Sequence, residues 1–140
     1  MDEKMIQLLN KALEDEYHAM AQYLHHYNNV RGTWPDIIEH FKEHMDDEIN
    51  HANMLCARIY CLGGKPILDI GGWAEFTDDV DKALEQDAVA EREAINLYHE
   101  VLKYAESIDD IATVMMLETI IDEERHHLDE FAKFLKAQVE

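Results

Sequence analysis

The stretch Asp47-Glu48-Ile49-Asn50-His51 has a close copy later in the chain, Asp122-Glu123-Glu124-Arg125-His126. Glu16 and its counterpart Glu91 are separated by the same interval as these two copies. In a helix, Glu-x-x-His places both side chains on one face. The repeat therefore predicts two similar helical hairpins that contribute matching side chains to one interior.

Helix is the expected state of most of the chain, because 140 residues contain only 5 Gly and 2 Pro. Apolar residues recur at helical spacing, including Leu24 in the first segment and Ile49 in the second. Turn residues and helix-capping residues separate the stretches that have this apolar spacing. The pattern predicts four helices, over about residues 2–31, 36–62, 79–106 and 110–140.

The spacing of the repeated residues also predicts the topology. With turn centres at residues 33 and 108, Glu16 and Glu48 each lie about 23–26 Å from their turn, at nearly one height. Residues 64–77 can stretch to ~46 Å, which exceeds the ~40 Å length of the second helix. We therefore expect residues 1–140 to form a single all-α domain, a four-helix bundle of two antiparallel hairpins joined by a long crossover.

The charge balance limits the classes of partner. The net charge is −19, from 31 acidic and 12 basic residues. This composition excludes nucleic-acid binding through a basic surface and favours the attraction of cations. No apolar run reaches the ~20 residues of a membrane span. The N-terminal residues do not form a signal peptide, so a cytoplasmic location is expected. Cys56 and Cys61 would point about 140° apart on one helix, so reduced thiols are the simpler expectation.

Six inward-facing side chains are the candidate metal ligands. Carboxylate and imidazole ligands with open coordination positions suit iron or, alternatively, manganese. The set contains no thiolate, so zinc–sulfur chemistry is not favoured. The Glu124-x-x-His127 pair has no counterpart at the offset of the repeat, and we therefore interpret it as incidental. The candidate metal and catalytic residues are Glu16, Glu48, His51, Glu91, Glu123 and His126.

The segments that carry these residues resemble the ligand segments of a known family. Residues 16–23, 47–52 and 122–126, together with Glu91 and Tyr98, are similar to the four ligand segments of bacterioferritin and the related Dps-like ferritins. The resemblance extends over about residues 4–132 and implies a ferritin-like four-helix bundle with a di-iron centre.

The resemblance also implies a role for each residue. It implies that Glu16 and His51 bind one iron, that Glu91 and His126 bind the other, and that Glu48 and Glu123 bridge the two. Tyr23 and Tyr98 would hydrogen-bond to ligating carboxylates, although each could equally fill the core.

Three functions are compatible with this pattern. The leading expectation is a ferroxidase that oxidises ferrous iron with dioxygen or hydrogen peroxide, and that stores or detoxifies iron under oxidative stress. The alternative is a rubrerythrin-like peroxidase or another small di-iron oxidoreductase without mineral storage. The third is a non-catalytic bundle that buffers manganese or zinc.

Two departures from the family pattern give further expectations. Ile49 stands where bacterioferritin has a haem-binding methionine, so haem is not supported. The sequence ends at Glu140, soon after His126, which leaves no room for the fifth helix of a 24-subunit shell. We therefore expect a homo-oligomer of 12 subunits, with a dimer as the fallback. The apolar residues expected at an interface or in a lid are Trp34, Ile67, Leu68, Ile70, Trp73 and Phe76.

Overall fold

The computed structural model describes residues 1–72 and 76–139, with side chains described through residue 135. Four helices account for most of the described chain, in the order α1 (Glu3–Asn29), α2 (Pro35–Cys61), α3 (Val80–Ser107) and α4 (Ile111–Val139). The predicted all-α four-helix bundle is confirmed. Each observed boundary lies within a few residues of the boundary predicted from the sequence.

Local signals fix where the helices begin and end. Asp2 and Asp79 cap α1 and α3 by accepting hydrogen bonds from backbone N–H groups of the first turn. Helix α2 begins with Pro35, whose fixed φ suits the first helical position. At the other end of α2, Gly63 has φ of +83°. Gly63 N–H donates to Tyr60 O and Gly64 N–H to Ile59 O, the pattern of a Schellman motif.

The crossover between α2 and α3 is held against α1. The amide of Asn10 donates to Lys65 O, and its oxygen accepts from Ile67 N–H. A Cβ on Gly64 would come within 2.8 Å of the Ile6 side chain, so any other residue here would force Ile6 to shift. The exposed residues of the crossover include Leu68 at 93% exposure. Trp73 lies outside the described residues.

The core is divided along the bundle axis. One apolar cluster contains residues from all four helices, including Leu9, Leu55, Val101 and Leu117. A second cluster, nearer the α1–α2 turn, includes Phe131. Between them lies a buried layer of carboxylates and imidazoles. The bundle therefore buries ionisable groups where a continuous apolar core would otherwise form.

Two expectations about the apolar stripes are corrected. Leu24 is 46% exposed and Ile49 is 45% exposed, although both have apolar side chains at helical spacing. Their positions rotate away from the bundle axis because each lies about 100° from a buried neighbour, Tyr23 and Glu48 respectively. No helix in the described ranges combines the length and the apolar character that a membrane span needs.

Candidate metal centre

Each helix brings its share of the buried polar layer on the same stripe that forms the core. In α4, residues spaced alternately by four and three positions are buried, which is the spacing of a bundle seam. Glu124 and His127 occupy two consecutive places on this stripe and are 1% and 3% exposed. The α4 stripe contains Thr113, Leu117, Ile120, Glu124, His127 and Phe131.

The buried polar residues form two overlapping groups of possible ligands. In each group, one oxygen or nitrogen from every member lies within 4.8 Å of the others. Both groups contain Glu48 and Glu124, which therefore lie between two positions suited to a cation. The first group is Glu16, Glu48, His51 and Glu124, and the second is Glu48, Glu91, Glu124 and His127.

The structure does not bring all six sequence-predicted residues together. Glu16, Glu48, His51 and Glu91 lie in the two groups. The side chain of Glu123 is 38% exposed and that of His126 is 69% exposed.

The predicted pair on α4 is therefore corrected by one residue. Glu124 and His127 occupy the places expected for Glu123 and His126. The physical reason is the helix geometry, since a shift of one residue rotates a side chain by about 100° and moves it from the seam to the surface.

Several atoms that point into the layer lack hydrogen-bond partners among the described residues. These include an oxygen of Glu16, of Glu48, of Glu91 and of Glu124, and Nδ1 of His51. Buried polar atoms are normally satisfied, so convergent unsatisfied oxygens in the interior indicate a place for a cation. The residues present thus fit a metal site.

The protonation of the metal-free site reflects the crowding of carboxylates. Burial raises the pKa of Glu16 well above its ordinary value of 4.5, and the charges of Glu48 and Glu124 raise it further. Burial and the charge of Glu124 likewise raise the pKa of Glu48. Without a cation, the layer resists the ionisation of all its carboxyl groups.

The histidine rings are oriented by carboxylates outside the layer. Nδ1 of His51 lies 2.7 Å from Glu124 Oε1, while its Nε2 lies 2.6 Å from Glu123 Oε2. Burial lowers the pKa of His51, but the close Glu124 carboxylate and the charges of Glu16 and Glu123 prevail and raise it to about 9.

His127 repeats this arrangement. Its Nδ1 lies 3.2 Å from Glu48 Oε1, and its Nε2 lies 2.8 Å from Asp47 Oδ2. Glu123 and Asp47 each directly precede a glutamate of the layer, and each contacts the histidine of the opposite helix. Such outer partners fix the tautomer and the orientation of a ligating imidazole.

The two repeated tyrosines cross the bundle. The hydroxyl of Tyr23 on α1 donates to Glu91 Oε1 on α3 over 2.5 Å. The hydroxyl of Tyr98 on α3 donates to Glu16 Oε1 on α1. Each tyrosine thus holds the carboxylate of the other hairpin, and both hydroxyls are satisfied in the interior.

A small cavity of about 60 Å³ reaches the layer between α1 and α3. Small side chains, including Ala19, Ala90 and Ala94, line its walls, and its lining also includes Asp15 and Glu93. Glu16, Glu48, Glu91 and Glu124 also line it. The cavity thus offers a route of small cross-section and acidic character to the candidate ligands.

These features define a class of protein: an antiparallel four-helix bundle with an interior carboxylate–histidine centre of two-fold symmetric design. The sequence model of the Ferritin-like domain family matches residues 6–138. The chain therefore belongs to the ferritin-like family, and its curated relatives place it with the bacterioferritins.

Two of those relatives illustrate the similarity. The chain is 31% identical to the bacterioferritin of Rhodobacter capsulatus over 140 residues, which cover 99% of this chain and 84% of that protein. It is 35% identical to the bacterioferritin of Desulfovibrio desulfuricans over 126 residues, which cover 89% of this chain and 70% of that protein.

Solved structures show the same likeness. A ferritin-like diiron-carboxylate protein from Bacillus anthracis superimposes with a TM-score of 0.89 at 29% identity, over 95% of this chain and 96% of that chain. A dodecameric thioferritin, the bacterioferritin-related protein of Bacteroides fragilis, superimposes with a TM-score of 0.91 at 28% identity, over 98% and 87% of the two chains.

Proposed function

We propose that this chain is a ferroxidase that binds two iron ions in the buried layer and contributes to iron storage. The observation that carries the proposal is the pair of four-residue groups that share Glu48 and Glu124. In the proposed assignment, Glu48 and Glu124 bridge the two ions. Glu16 and His51 complete one site, and Glu91 and His127 complete the other.

The ligand set suits iron oxidation for electrostatic reasons. Ferrous iron is the substrate, and its loss of an electron to dioxygen or hydrogen peroxide raises the charge at the site. Four buried carboxylates stabilise the higher charge of the ferric product more than that of the ferrous substrate. The unsatisfied oxygens of Glu16 and Glu91 are poised to share this charge.

The surrounding residues tune the ligands. Glu123 and Asp47 accept hydrogen bonds at the outer nitrogens of His51 and His127, which leaves each Nδ1 lone pair for the metal. Tyr23 and Tyr98 each donate to one oxygen of a terminal carboxylate. The remaining oxygen of each carboxylate then faces the layer.

Storage requires an assembly that encloses the product, and we propose a shell of 12 copies of this chain. The proposal is supported by the similarity to the Bacteroides fragilis protein, which is described as dodecameric. The exposed apolar residues Trp34 and Leu68 provide contact surface for such an assembly.

Stopped-flow measurements of ferrous oxidation, with dioxygen and with hydrogen peroxide separately, test the ferroxidase activity. Size-exclusion chromatography of the oxidised sample tests whether iron remains with the protein. Rapid oxidation with retained iron supports the proposal. Turnover of peroxide without iron retention would instead support a small di-iron peroxidase, and metal uptake without oxidation would overturn the enzymatic assignment.

A further inference from the structure

A second cluster of ligand-type side chains lies between α2 and α4, closer to the N-terminus of α2 than the buried layer. His44 Nε2 lies 2.9 Å and His40 Nδ1 lies 3.1 Å from the same oxygen, Oε2 of Glu130. Glu43 adds a carboxylate oxygen 3.5 Å from His40 Nδ1. None of these four residues belongs to the two groups of the metal centre.

The cluster breaks the two-fold repeat of the bundle. In the buried layer, each α2 residue has its α4 counterpart 76 positions later, so Glu48 corresponds to Glu124 and His51 to His127. This interval is one residue longer than that of the sequence repeat, which relates Glu48 to Glu123. At the same offset of 76 positions, the counterparts of His40, His44 and Glu130 are apolar. His40 corresponds to Met116, His44 to Ile120 and Glu130 to Met54.

Those apolar counterparts pack in or against the core. The fold therefore does not require polar side chains at these places. Their presence on one side of the bundle calls for a separate cause.

The distances match those of a coordination sphere. Ligand atoms in adjacent octahedral positions about 2.1 Å from a first-row metal are about 3.0 Å apart. His40 Nδ1 is buried and makes no hydrogen bond to any described residue, even though Glu130 Oε2 is close. The His40 contact thus has the separation of two ligands without the geometry of a hydrogen bond, whereas His44 Nε2 and Glu130 Oε2 do form a hydrogen bond in the metal-free protein.

We propose that His40, His44 and Glu130 form a third, mononuclear site for a divalent first-row transition-metal ion. Two imidazoles and one carboxylate with open positions suit ferrous iron, and also cobalt or zinc as probes. His44 is only 2% exposed, so its ring is fixed, whereas His40 and Glu130 are partly exposed and can admit the ion.

The site is connected to both solvent and the buried layer. The ring of His44 stacks on that of His127 with centroids 4.0 Å apart. His44 and Glu130 also line a surface cavity of about 320 Å³ together with Asp47 and Glu123. An ion bound to His44 would be separated from the metal centre only by the stacked rings of His44 and His127. The binding proposal itself does not depend on ferroxidase activity.

Titration with Co²⁺, followed by visible absorption and by metal analysis after desalting, tests the site. We expect wild-type protein to retain one more equivalent per chain than His40→Ala or Glu130→Gln, both of which keep the buried layer. His99→Ala is the matched control, because His99 is exposed and distant from the cluster in sequence. It should retain the wild-type stoichiometry.

Anomalous diffraction from crystals soaked in Zn²⁺ gives a second readout that does not rely on variants. A peak between His40 Nδ1, His44 Nε2 and Glu130 Oε2 supports the site, whether or not the protein oxidises iron. Equal Co²⁺ stoichiometry in all four proteins, or a filled buried layer with no peak at the cluster, overturns it.

Discussion

Glu123 Oε2 lies 2.6 Å from Nε2 of His51, on the side of the ring that faces away from the buried layer. The next residue, Glu124, lies 2.7 Å from the other ring nitrogen of the same histidine. Two adjacent residues of α4 therefore contact opposite nitrogens of one imidazole. Glu124 does so from the bundle seam and Glu123 from the surface, so their proposed roles differ.

The first prediction separates these two roles. Glu124→Ala removes a proposed ligand from both ions and should lower the rate of ferrous oxidation by more than about 100-fold. Glu123→Ala removes only the partner of a ligand and should lower the rate by about 10-fold. Stopped-flow oxidation measures both, and circular dichroism checks that the helices persist.

His126→Ala and His127→Ala form the matching pair of variants. Only His127→Ala should have a large effect, since the side chain of His126 is mostly exposed. If Glu123→Ala or His126→Ala were the more damaging member of its pair, the one-residue correction would be refuted.

The sequence predicts the fold well because its signals are redundant. The apolar spacing agrees with the cap residue Asp79 about where α3 begins, and with Gly63 about where α2 ends. The long crossover follows from simple lengths, and the structure confirms it. Residues 123–127 contain two overlapping Glu-x-x-His motifs. The sequence repeat favours Glu123 with His126, whereas the packing of α4 favours Glu124 with His127.

The register that the structure places in the buried layer is present in the sequence as a packing pattern. Leu117, Ile120 and Phe131 define the seam of α4, and continuing their spacing leads to Glu124 and His127. The exact repeat of Asp-Glu-x-x-His outweighs this pattern in the sequence-based interpretation. The cluster of His40, His44 and Glu130 could not be predicted, because it depends on contacts across 86 residues.

The second prediction concerns the crossed tyrosines. Tyr98→Phe removes the donor to Glu16 Oε1 and leaves a buried oxygen without its partner. We expect Mn²⁺ affinity to fall by about 10-fold or more, as it does when the outer partners of metal ligands are removed. Isothermal titration calorimetry measures the change.

Tyr60→Phe is the control for this variant, because Tyr60 is 66% exposed and lies outside the buried layer. It should bind Mn²⁺ as the wild type does. Unchanged affinity in both Tyr98→Phe and Tyr23→Phe would leave the tyrosines with a packing role only.

The third prediction is that the metal-free protein loses stability as the pH rises from about 6.5 to about 9. Burial raises the folded-state pKa of Glu16 and Glu48, so the folded state holds protons that the unfolded state has already released. The pKa of His51 is raised to about 9, so its contribution is present below 6.5 and is lost as the pH rises through about 9.

Burial lowers the pKa of His44 to about 2, so its effect is confined to pH below 6.5 and does not oppose this trend. Each proton released on unfolding but held in the folded state changes stability by about 1.4 kcal/mol per pH unit. Calorimetry in a chelating buffer measures the slope. With Mn²⁺ present the slope should reverse, because metal binding favours deprotonated ligands. A flat or rising metal-free curve would contradict the assignment.

The fourth prediction concerns haem. Ile49 is 45% exposed on α2 and offers no axial ligand. Purified protein, expressed with added haem, should show no Soret absorption. Recovery of stoichiometric haem would contradict this expectation and would direct attention to Met45 and Met54, the nearest methionines on the same helix.

The last prediction concerns assembly. Native mass spectrometry should show a particle of about 197 kDa, which corresponds to twelve chains of 16.4 kDa. Trp34 is 74% exposed at the turn between α1 and α2, and aromatic residues are enriched where subunits meet. Trp34→Asp should therefore release dimers or monomers that keep their helical circular dichroism, while Trp34→Phe should preserve the assembly. A 24-subunit particle would refute the proposed shell size, and an unchanged particle in Trp34→Asp would show that this aromatic residue is not part of a subunit interface.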